Sequence, residues 1–416
     1  MKTETVNIEK TRKIKDNVIL VLGALVLAAF FSFLFYRQAI MHNEEYLSDV
    51  PTEIYVALNS YTNNLLLILI NSLLQLTPGF LYTIGLLEGL IQGFSWACTS
   101  VFIKKYTRMT RPKSMMIALG LLFLTNIPVP WFFPRFYAGS LIAQPWHNIT
   151  YIAMKPFAVL TLYNFFELYR IYREEKRIST KHWVLTMVMM ALATNMNAGF
   201  MMTFGIVFTA LLVIDLAKKR SNAENVFIMA LTMVPAVVLL FSQFATLCMS
   251  ATDGPYSLVF GPSMYFFTEG IKAFVMKYVT GLAFPIIVFA YNRKKQPKYA
   301  VLEAICFLVG LIEAMFIVES GARAGNGSFL WGMQFFGFML YAYAVPQLFE
   351  DVKEILQRLK SESKGKRKSK RKSRKEKVKV NKDMIYMIVG LLLVLAHIVS
   401  GLYYFYWLLQ GNYFYI

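Results

Sequence analysis

Apolar residues fall into runs of roughly 20, separated by short polar segments, and these runs recur along the whole chain. A run of this length crosses the ~30 Å hydrocarbon core of a bilayer as one α-helix. The pattern predicts an all-α, polytopic integral membrane protein with about eleven transmembrane helices. The predicted spans are approximately 18–35, 80–103, 115–131, 151–169, two short helices within 183–216, 226–248, 273–291, 301–318, 330–348 and 384–409.

The first run, Val18 to Phe35, follows a basic segment, and a cleaved signal peptide is the alternative to a transmembrane helix. The run is long and contains no small-residue cleavage site at its end. These two features favour a retained transmembrane helix.

The segment Trp183 to Leu216 is too long for one helix, and the polar sequence 194–199 lies at its middle. We therefore predict two short helices that meet at a polar break. Non-helical backbone at membrane depth is tolerated where it is buried in protein or lines a water-filled cavity. Asn195, within the break, is consequently a candidate substrate-binding residue.

The first outer loop, residues 37–79, contains four carboxylates just beyond the first span and then an apolar stripe with helical spacing. The stripe comprises Ile54, Leu58, Tyr61, Leu65, Ile68, Leu69, Leu73 and Leu76. Its spacing predicts an amphipathic helix that lies in the membrane interface. Asp49 precedes this helix and is a candidate catalytic residue, either as a general base or as a ligand of a divalent cation. For Glu44 and Glu45, a solvated loop is the favoured interpretation.

Charge sets the predicted orientation of the helices. Only 16% of the residues are charged, against about 25% in an average soluble domain. The net charge of +19 comes from basic clusters in every second loop, which is the positive-inside pattern rather than a nucleic-acid footprint. We therefore predict no nucleic-acid partner, a cytoplasmic N-terminus, an extracytoplasmic C-terminus and location in the cell membrane. The three cysteines have no metal-site spacing and are predicted to be buried small apolar residues.

Three regions follow from this topology. Residues 1–350 are the predicted transmembrane core, residues 351–383 a basic cytoplasmic loop, and residues 384–416 the final helix with an outer C-terminus. Within the loop, residues 361–382 lack an apolar stripe and are predicted to be disordered. Binding to anionic membrane lipids and a solvated topology anchor are both open interpretations of their charge.

Two outer loops contain further candidate substrate-binding residues. His147 and Asn148 precede the fourth span, and Lys155 lies inside it, where a cation is costly unless it has a partner or a cavity. Together they suit a phosphate, with the alternatives that His147 bonds to backbone and that Lys155 extends to the membrane surface.

The outer loop between the ninth and tenth spans holds Glu319, Arg323 and Asn326 in a glycine-rich sequence. Arg323 offers a planar fork for phosphate, Asn326 is a binding candidate, and Glu319 is a candidate acid or base. A structural Glu–Arg pair in a turn is the alternative. By topology alone, all of these candidates lie on the outer side.

A transmembrane helix followed by an outer loop with an acidic residue and interfacial helices resembles the GT-C class of membrane glycosyltransferases. The sequence also resembles bacterial polytopic proteins that share segments like 146–156 and 319–332, for which no activity is implied. The first resemblance implies transfer of a sugar from a polyprenyl-phosphate donor to a glycan or lipid acceptor of the cell envelope. A divalent cation, Mg²⁺ or Mn²⁺, is a candidate cofactor, and its ligands beyond the candidate Asp49 are left open. The chain departs from the class pattern because it has no clear paired-acid motif in a later outer loop. The alternative is a transporter or flippase for a lipid-linked or anionic solute.

Overall fold

A computed structural model describes residues 2–40, 49–59, 62–77, 81–127, 148–250, 257–263, 270–320, 327–365 and 374–410. These residues form an all-α bundle with one pair of short strands. The helices are α1 (Lys2–Ile40), α2 (Asp49–Asn59), α3 (Leu65–Leu76), α4 (Tyr82–Tyr106), α5 (Arg111–Leu121), α6 (Ile149–Glu174), α7 (Thr180–Met196), α8 (Gly199–Ala217), α9 (Ala223–Leu231), α10 (Val234–Ser250), α11 (Gly270–Tyr291), α12 (Lys298–Phe316), α13 (Leu330–Gly365) and α14 (Arg374–Leu409). The strands β1 (Leu258–Phe260) and β2 (Ile317–Glu319) pair antiparallel.

Several helices are long and apolar enough to cross a membrane, which supports the multi-pass prediction. Within the described residues there are six such helices, or seven if one bent pair counts as a single span. The six are Ile14–Arg37, Tyr82–Tyr106, Ile149–Glu174, Gly199–Ala217, Lys298–Phe316 and Asn381–Leu409. The count of about eleven therefore stays a prediction.

Two helix breaks shape the middle of the bundle. α7 ends at Met196 and α8 begins at Gly199, as the polar sequence 194–199 predicted. The predicted single span 226–248 is instead a pair of helices, α9 and α10, bent by 42°. Pro235 lies in the first turn of α10 and has no N–H to donate to the preceding turn, so a continuous helix is disfavoured there.

Close packing of α1 against α4 depends on three glycines, Gly85, Gly89 and Gly93, which we call the glycine face. A Cβ atom on Gly89 would lie 2.3 Å from the Ala28 carbonyl oxygen, and one on Gly93 would lie 2.2 Å from that of Ala24. The two helices therefore run antiparallel with their backbones nearly touching. Small residues at four-residue spacing permit such close packing within membranes.

The first outer loop differs from its prediction, because it forms two helices rather than one. The Asn64 side chain accepts hydrogen bonds from the backbone N–H groups of Leu66 (3.0 Å) and Leu67 (3.4 Å), and so starts α3 as a separate helix. The buried face of α3 comprises Leu66, Leu67, Ile70 and Leu74. Members of the predicted stripe are exposed instead, namely Leu58, Leu65, Ile68, Leu69 and Leu76.

The basic region 351–383 is largely helical where the structure describes it. α13 continues to Gly365 and α14 begins at Arg374, so the prediction of disorder is wrong for 361–365 and 374–382. Residues 366–373 lie outside the described residues. α13 continues because Val352, Ile355 and Leu359 keep helical spacing and pack on the core, with Ile355 only 1% exposed.

The basic loops meet at one end of the bundle, which we call the basic face. Lys105 lies 4.0 Å from a Glu167 carboxylate oxygen, and Arg108 lies 3.9 Å from one of Glu354. These contacts join the end of α4 to the end of α6 and to α13. Because successive spans run in opposite directions, the basic clusters in every second loop lie at the same end of the bundle. The assignment of this face to the cytoplasm stays a prediction.

Candidate functional site

The N-termini of α6 and α8 lie beside each other at the end opposite the basic face. Asn148 caps α6, and its side-chain oxygen accepts hydrogen bonds from the Tyr151 N–H (2.7 Å) and the Thr150 hydroxyl (3.0 Å). The Asn197 amide donates to the same Thr150 hydroxyl at 3.3 Å, and its oxygen accepts from the Gly199 N–H at 3.0 Å. The chain Asn148–Thr150–Asn197 therefore links the two helix starts.

Helix N-termini present backbone N–H groups and a partial positive charge, which favour bound anions. In transporters and related membrane proteins, the start of a broken helix commonly serves this role. We call the side chains around these two helix starts the polar cluster. It comprises Asn148, Thr150 and Asn197, which bond to one another, Thr203 and Glu313, which Gly332 connects to the start of α8, and Lys155, about two turns along α6.

A buried acid joins the cluster from α12. The Thr203 hydroxyl donates a hydrogen bond of 2.5 Å to a Glu313 carboxylate oxygen. α13 packs against this pair through Gly332, where a Cβ atom would lie 2.0 Å from the Thr203 hydroxyl oxygen and 2.5 Å from the Gly199 carbonyl oxygen. Any side chain at position 332 would therefore push α13 away from α8.

Lys155 is fully buried in α6, about 9 Å along the helix from its first residue. Its Nζ lies 3.6 Å from the centroid of the Phe338 ring of α13, in the geometry of a cation–π contact. The side chain does not extend to the membrane surface, so the alternative interpretation for Lys155 is not what the structure shows. A cation held inside a membrane span commonly marks a substrate or ion pathway.

Glu319 ends strand β2, whose pairing with β1 places it opposite Leu258. The side chain is buried, and one carboxylate oxygen accepts a hydrogen bond of 2.6 Å from the Ser328 hydroxyl. The strand pair and Ser328 together fix the direction of this acid.

Asn195 anchors the first outer loop to the break between α7 and α8. Its side-chain oxygen accepts from the Leu65 N–H at 2.6 Å, and its amide donates to the Asn63 carbonyl oxygen at 2.9 Å. The Asn64 amide donates in return to the Met196 carbonyl oxygen at 3.0 Å. The side chain proposed for substrate binding thus makes structural hydrogen bonds, which bring α3 beside the polar cluster.

Several predicted site residues fall outside this description. His147, Arg323 and Asn326 lie outside the described residues. Asp49 is the first residue of α2, but its side chain is not among those described. The convergence of these four residues with Lys155 therefore stays a prediction.

The structure also locates a buried acid that sequence reasoning missed. Glu88 is fully buried in α4, and neither of its carboxylate oxygens has a hydrogen-bond partner among the described residues. Glu303 of α12 has the same two properties. The signal in the sequence was the rarity of acids within apolar runs, which marks them as functional candidates. Glu88 lies among glycines in the predicted span 80–103, and these glycines lower the apolar character of the run and weaken that signal.

Among the side chains that the structure describes, no three His, Cys, Asp or Glu residues lie close enough to hold one metal ion. The candidate Mg²⁺ or Mn²⁺ cofactor therefore stays a prediction.

Known proteins give no further guide to the site. No protein-family model matches the sequence, and no curated protein is significantly similar to it.

Proposed function

We propose that this chain is a GT-C-like membrane glycosyltransferase with about eleven spans. It transfers a sugar from a polyprenyl-phosphate donor to a glycan or lipid acceptor on the extracytoplasmic side. The observation that supports this best is the polar cluster, in which two helix N-termini and a fully buried lysine lie at the end opposite the basic face. A lipid-linked phosphate approaching from the bilayer needs such a set of fixed positive groups.

The proposed reaction is a displacement at the anomeric carbon of the sugar. The acceptor hydroxyl oxygen forms a bond to that carbon, and the bond from the carbon to the phosphate oxygen breaks, leaving the polyprenyl phosphate with the electron pair. A carboxylate takes the proton from the hydroxyl. Lys155, the N–H groups of α6 and α8, and Arg323 stabilise the negative charge on the departing phosphate.

Asp49 and Glu319 are the two candidates for the base. Glu319 is buried, and the hydrogen bond from Ser328 fixes the direction of its carboxylate, which is the group that would accept the proton. Asp49 begins α2, and the hydrogen bonds of Asn195 hold the first outer loop against the α7–α8 break. His147, Asn148 and Asn326 are proposed to bind the sugar or phosphate, and a divalent cation beside Asp49 would add further positive charge.

The test is sugar transfer by protein reconstituted with a lipid-linked donor. Asp49→Asn and Glu319→Gln keep side-chain shape and remove the charge, so loss of the base should reduce the rate by about 10²–10⁴. Arg323→Lys should cause a partial defect, because it keeps the charge but loses the planar fork, and Arg323→Ala a severe one. Glu44→Gln is the control and should retain its rate. Wild-type rates in both Asp49→Asn and Glu319→Gln would contradict the assignment of the base.

A transporter or flippase is the second candidate, and Glu88 and Glu303 are the observations that favour it. Fully buried acids inside membrane helices are typical of proton or ion pathways. Cysteine accessibility along the polar cluster separates the two functions. In a transporter, the cysteine of Thr203→Cys should react with thiol reagents from one side of the membrane in one conformational state and from the other side in another. In a transferase, it should react from one side of the membrane only.

A further inference from the structure

A cavity of about 530 Å³ opens on the basic face, at the opposite end of the bundle from the polar cluster. It lies between the end of α11, the turn that follows, α13 and α14. Its lining residues are Tyr291, Asn292, Arg293, Lys294, Lys295, Asp351, Glu354, Arg358 and Asp383. Tyr291 also stacks flat on Tyr386, with ring centroids 3.7 Å apart, which makes one wall of the cavity rigid.

The deepest carboxylate in this cavity already has several donors from the protein. One oxygen of Asp351 accepts hydrogen bonds of 2.6 Å from the Asn292 amide and from the Tyr386 hydroxyl. The other accepts from the Gln347 amide at 2.9 Å. Asp351 therefore links α13 to α14 and to the turn after α11. Its carboxylate oxygens have little capacity left to bind an external cation.

The other two carboxylates are also engaged. Asp383 accepts a hydrogen bond of 2.8 Å from the Tyr291 hydroxyl and pairs with Arg358 at 2.9 Å. Glu354 lies 3.9 Å from Arg108, outside the cavity. Each of the three carboxylates around the cavity thus has a hydrogen-bond or ion-pair partner within the protein.

Three cations remain at the mouth of the cavity. Arg293, Lys294 and Lys295 are exposed, and none forms an ion pair with a carboxylate of the described residues. They are consecutive in a turn, so their charges act on one small volume. Clustered cations between helices at the cytoplasmic membrane surface are a typical binding site for phosphate-bearing headgroups.

We propose that this cavity binds a phosphate-bearing anion through Arg293, Lys294 and Lys295. The phosphate belongs either to an anionic lipid headgroup of the adjoining leaflet or to a soluble phosphate compound. The guanidinium of Arg293 supplies paired donors to the phosphate oxygens, and the two lysines supply point charges. Occupancy of the site would fix the turn that follows α11, at the end remote from the polar cluster.

The experiment compares two variants with equal loss of charge in the full-length chain. The cavity variant is Arg293→Gln/Lys294→Gln/Lys295→Gln, and the control is Lys113→Gln/Lys181→Gln/Lys218→Gln, whose residues are exposed basic-face cations away from the cavity. Each protein is placed in nanodiscs of phosphatidylcholine with phosphatidic acid, and retained lipid is counted by native mass spectrometry. Binding of inorganic pyrophosphate to detergent-purified protein is measured in parallel by calorimetry.

The cavity variant should weaken binding by a factor on the order of tenfold to a hundredfold, while the control keeps wild-type binding. Loss of phosphatidic acid alone identifies a lipid headgroup, and loss of pyrophosphate alone identifies a soluble phosphate. Equal weakening in both variants, or no binding of either probe by the wild-type chain, would overturn the proposal. If the triple variant unfolds, Lys294→Gln serves instead, with an expected weakening of about fivefold.

Discussion

Thr203 of α8 donates a hydrogen bond of 2.5 Å to Glu313 of α12, and both side chains are buried. The bond crosses between two helices at a place where Gly332 brings a third helix into contact. A buried carboxylate without a donor carries the full free-energy cost of its removal from water, and the Thr203 hydroxyl supplies a donor to Glu313.

Thr203→Val should therefore destabilise the protein by about 1–3 kcal/mol, since valine has the same shape but no donor. Thr203→Ser keeps the hydroxyl and should remain close to wild type. Thermal unfolding of the purified variants in detergent measures the difference. If the valine and serine variants unfolded together, the hydrogen bond would have no part in stability.

The glycine face gives a second prediction. Gly89→Ala places a Cβ atom 2.3 Å from the Ala28 carbonyl oxygen and from the Ser32 hydroxyl, so α1 and α4 must separate. We expect a loss of about 1–3 kcal/mol in the free energy of unfolding. Gly120→Ala is the matched control, because its Cβ would meet only Ile398 at an ordinary 3.7 Å, and its expected change is a gain of up to about 1 kcal/mol. Similar unfolding curves for both variants would argue against close helix contact.

Glu88→Gln should leave the protein at least as stable as wild type. The wild-type carboxyl is buried without a hydrogen-bond partner among the described residues, so the neutral amide avoids the cost of burying a charge. Glu167→Gln is the comparison; it removes a partner 2.7 Å from Arg170 on the basic face and should cost about 0–1 kcal/mol. Loss of function in a stable Glu88→Gln protein would assign this acid a functional role, whereas clear destabilisation would show that its charge is paired.

Asn195→Ala should loosen α3, because both hydrogen bonds to the backbone at Asn63 and Leu65 disappear. We expect about 1–3 kcal/mol of local destabilisation. Hydrogen exchange read by mass spectrometry should show faster exchange across 65–77. Asn59→Ala is the control, since the exposed Asn59 side chain bonds within its own helix, to the Tyr55 carbonyl oxygen one turn before it. Unchanged exchange with impaired substrate binding would restore Asn195 to a binding role.

Orientation is tested by single cysteines and a membrane-impermeant thiol reagent. Asn326→Cys should react in intact cells, and Lys218→Cys only after the membrane is opened. Lys218 is exposed in the structure, so failure to react in intact cells cannot come from burial. The reverse labelling pattern would place the basic face outside.

The sequence predicted well those helices whose positions are set by their own residues. The predicted span 151–169 lies within α6, and the predicted span 80–103 overlaps α4 over residues 82–103, because each is a long apolar run that ends in a basic cluster. The break at 194–199 was visible for the same reason, as polar residues interrupt an apolar run.

Features that depend on two helices were not visible in the sequence. The stripe in the first outer loop assumed one continuous helix, but the Asn64 cap starts a new helix and shifts the buried face to Leu66 and Ile70. The contact of Thr203 with Glu313 joins residues 110 positions apart, and nothing in a single sequence pairs them. Lys155 was a candidate by its cost in lipid, whereas its position over Phe338 required the packed helices.

The glycine face also bears on how the protein is made. α1 is synthesised before α4, and α4, which carries the buried Glu88, is less apolar than α1. A helix of this kind leaves the insertion machinery more readily when a partner already in the bilayer covers its polar side. We therefore expect α1 to assist the insertion of α4. Replacing the exposed Val21 and Val26 of α1 with leucine should leave biogenesis intact, whereas replacing Ala24 and Ala28 with leucine should leave α4 retained at the translocon and open to quality-control proteolysis.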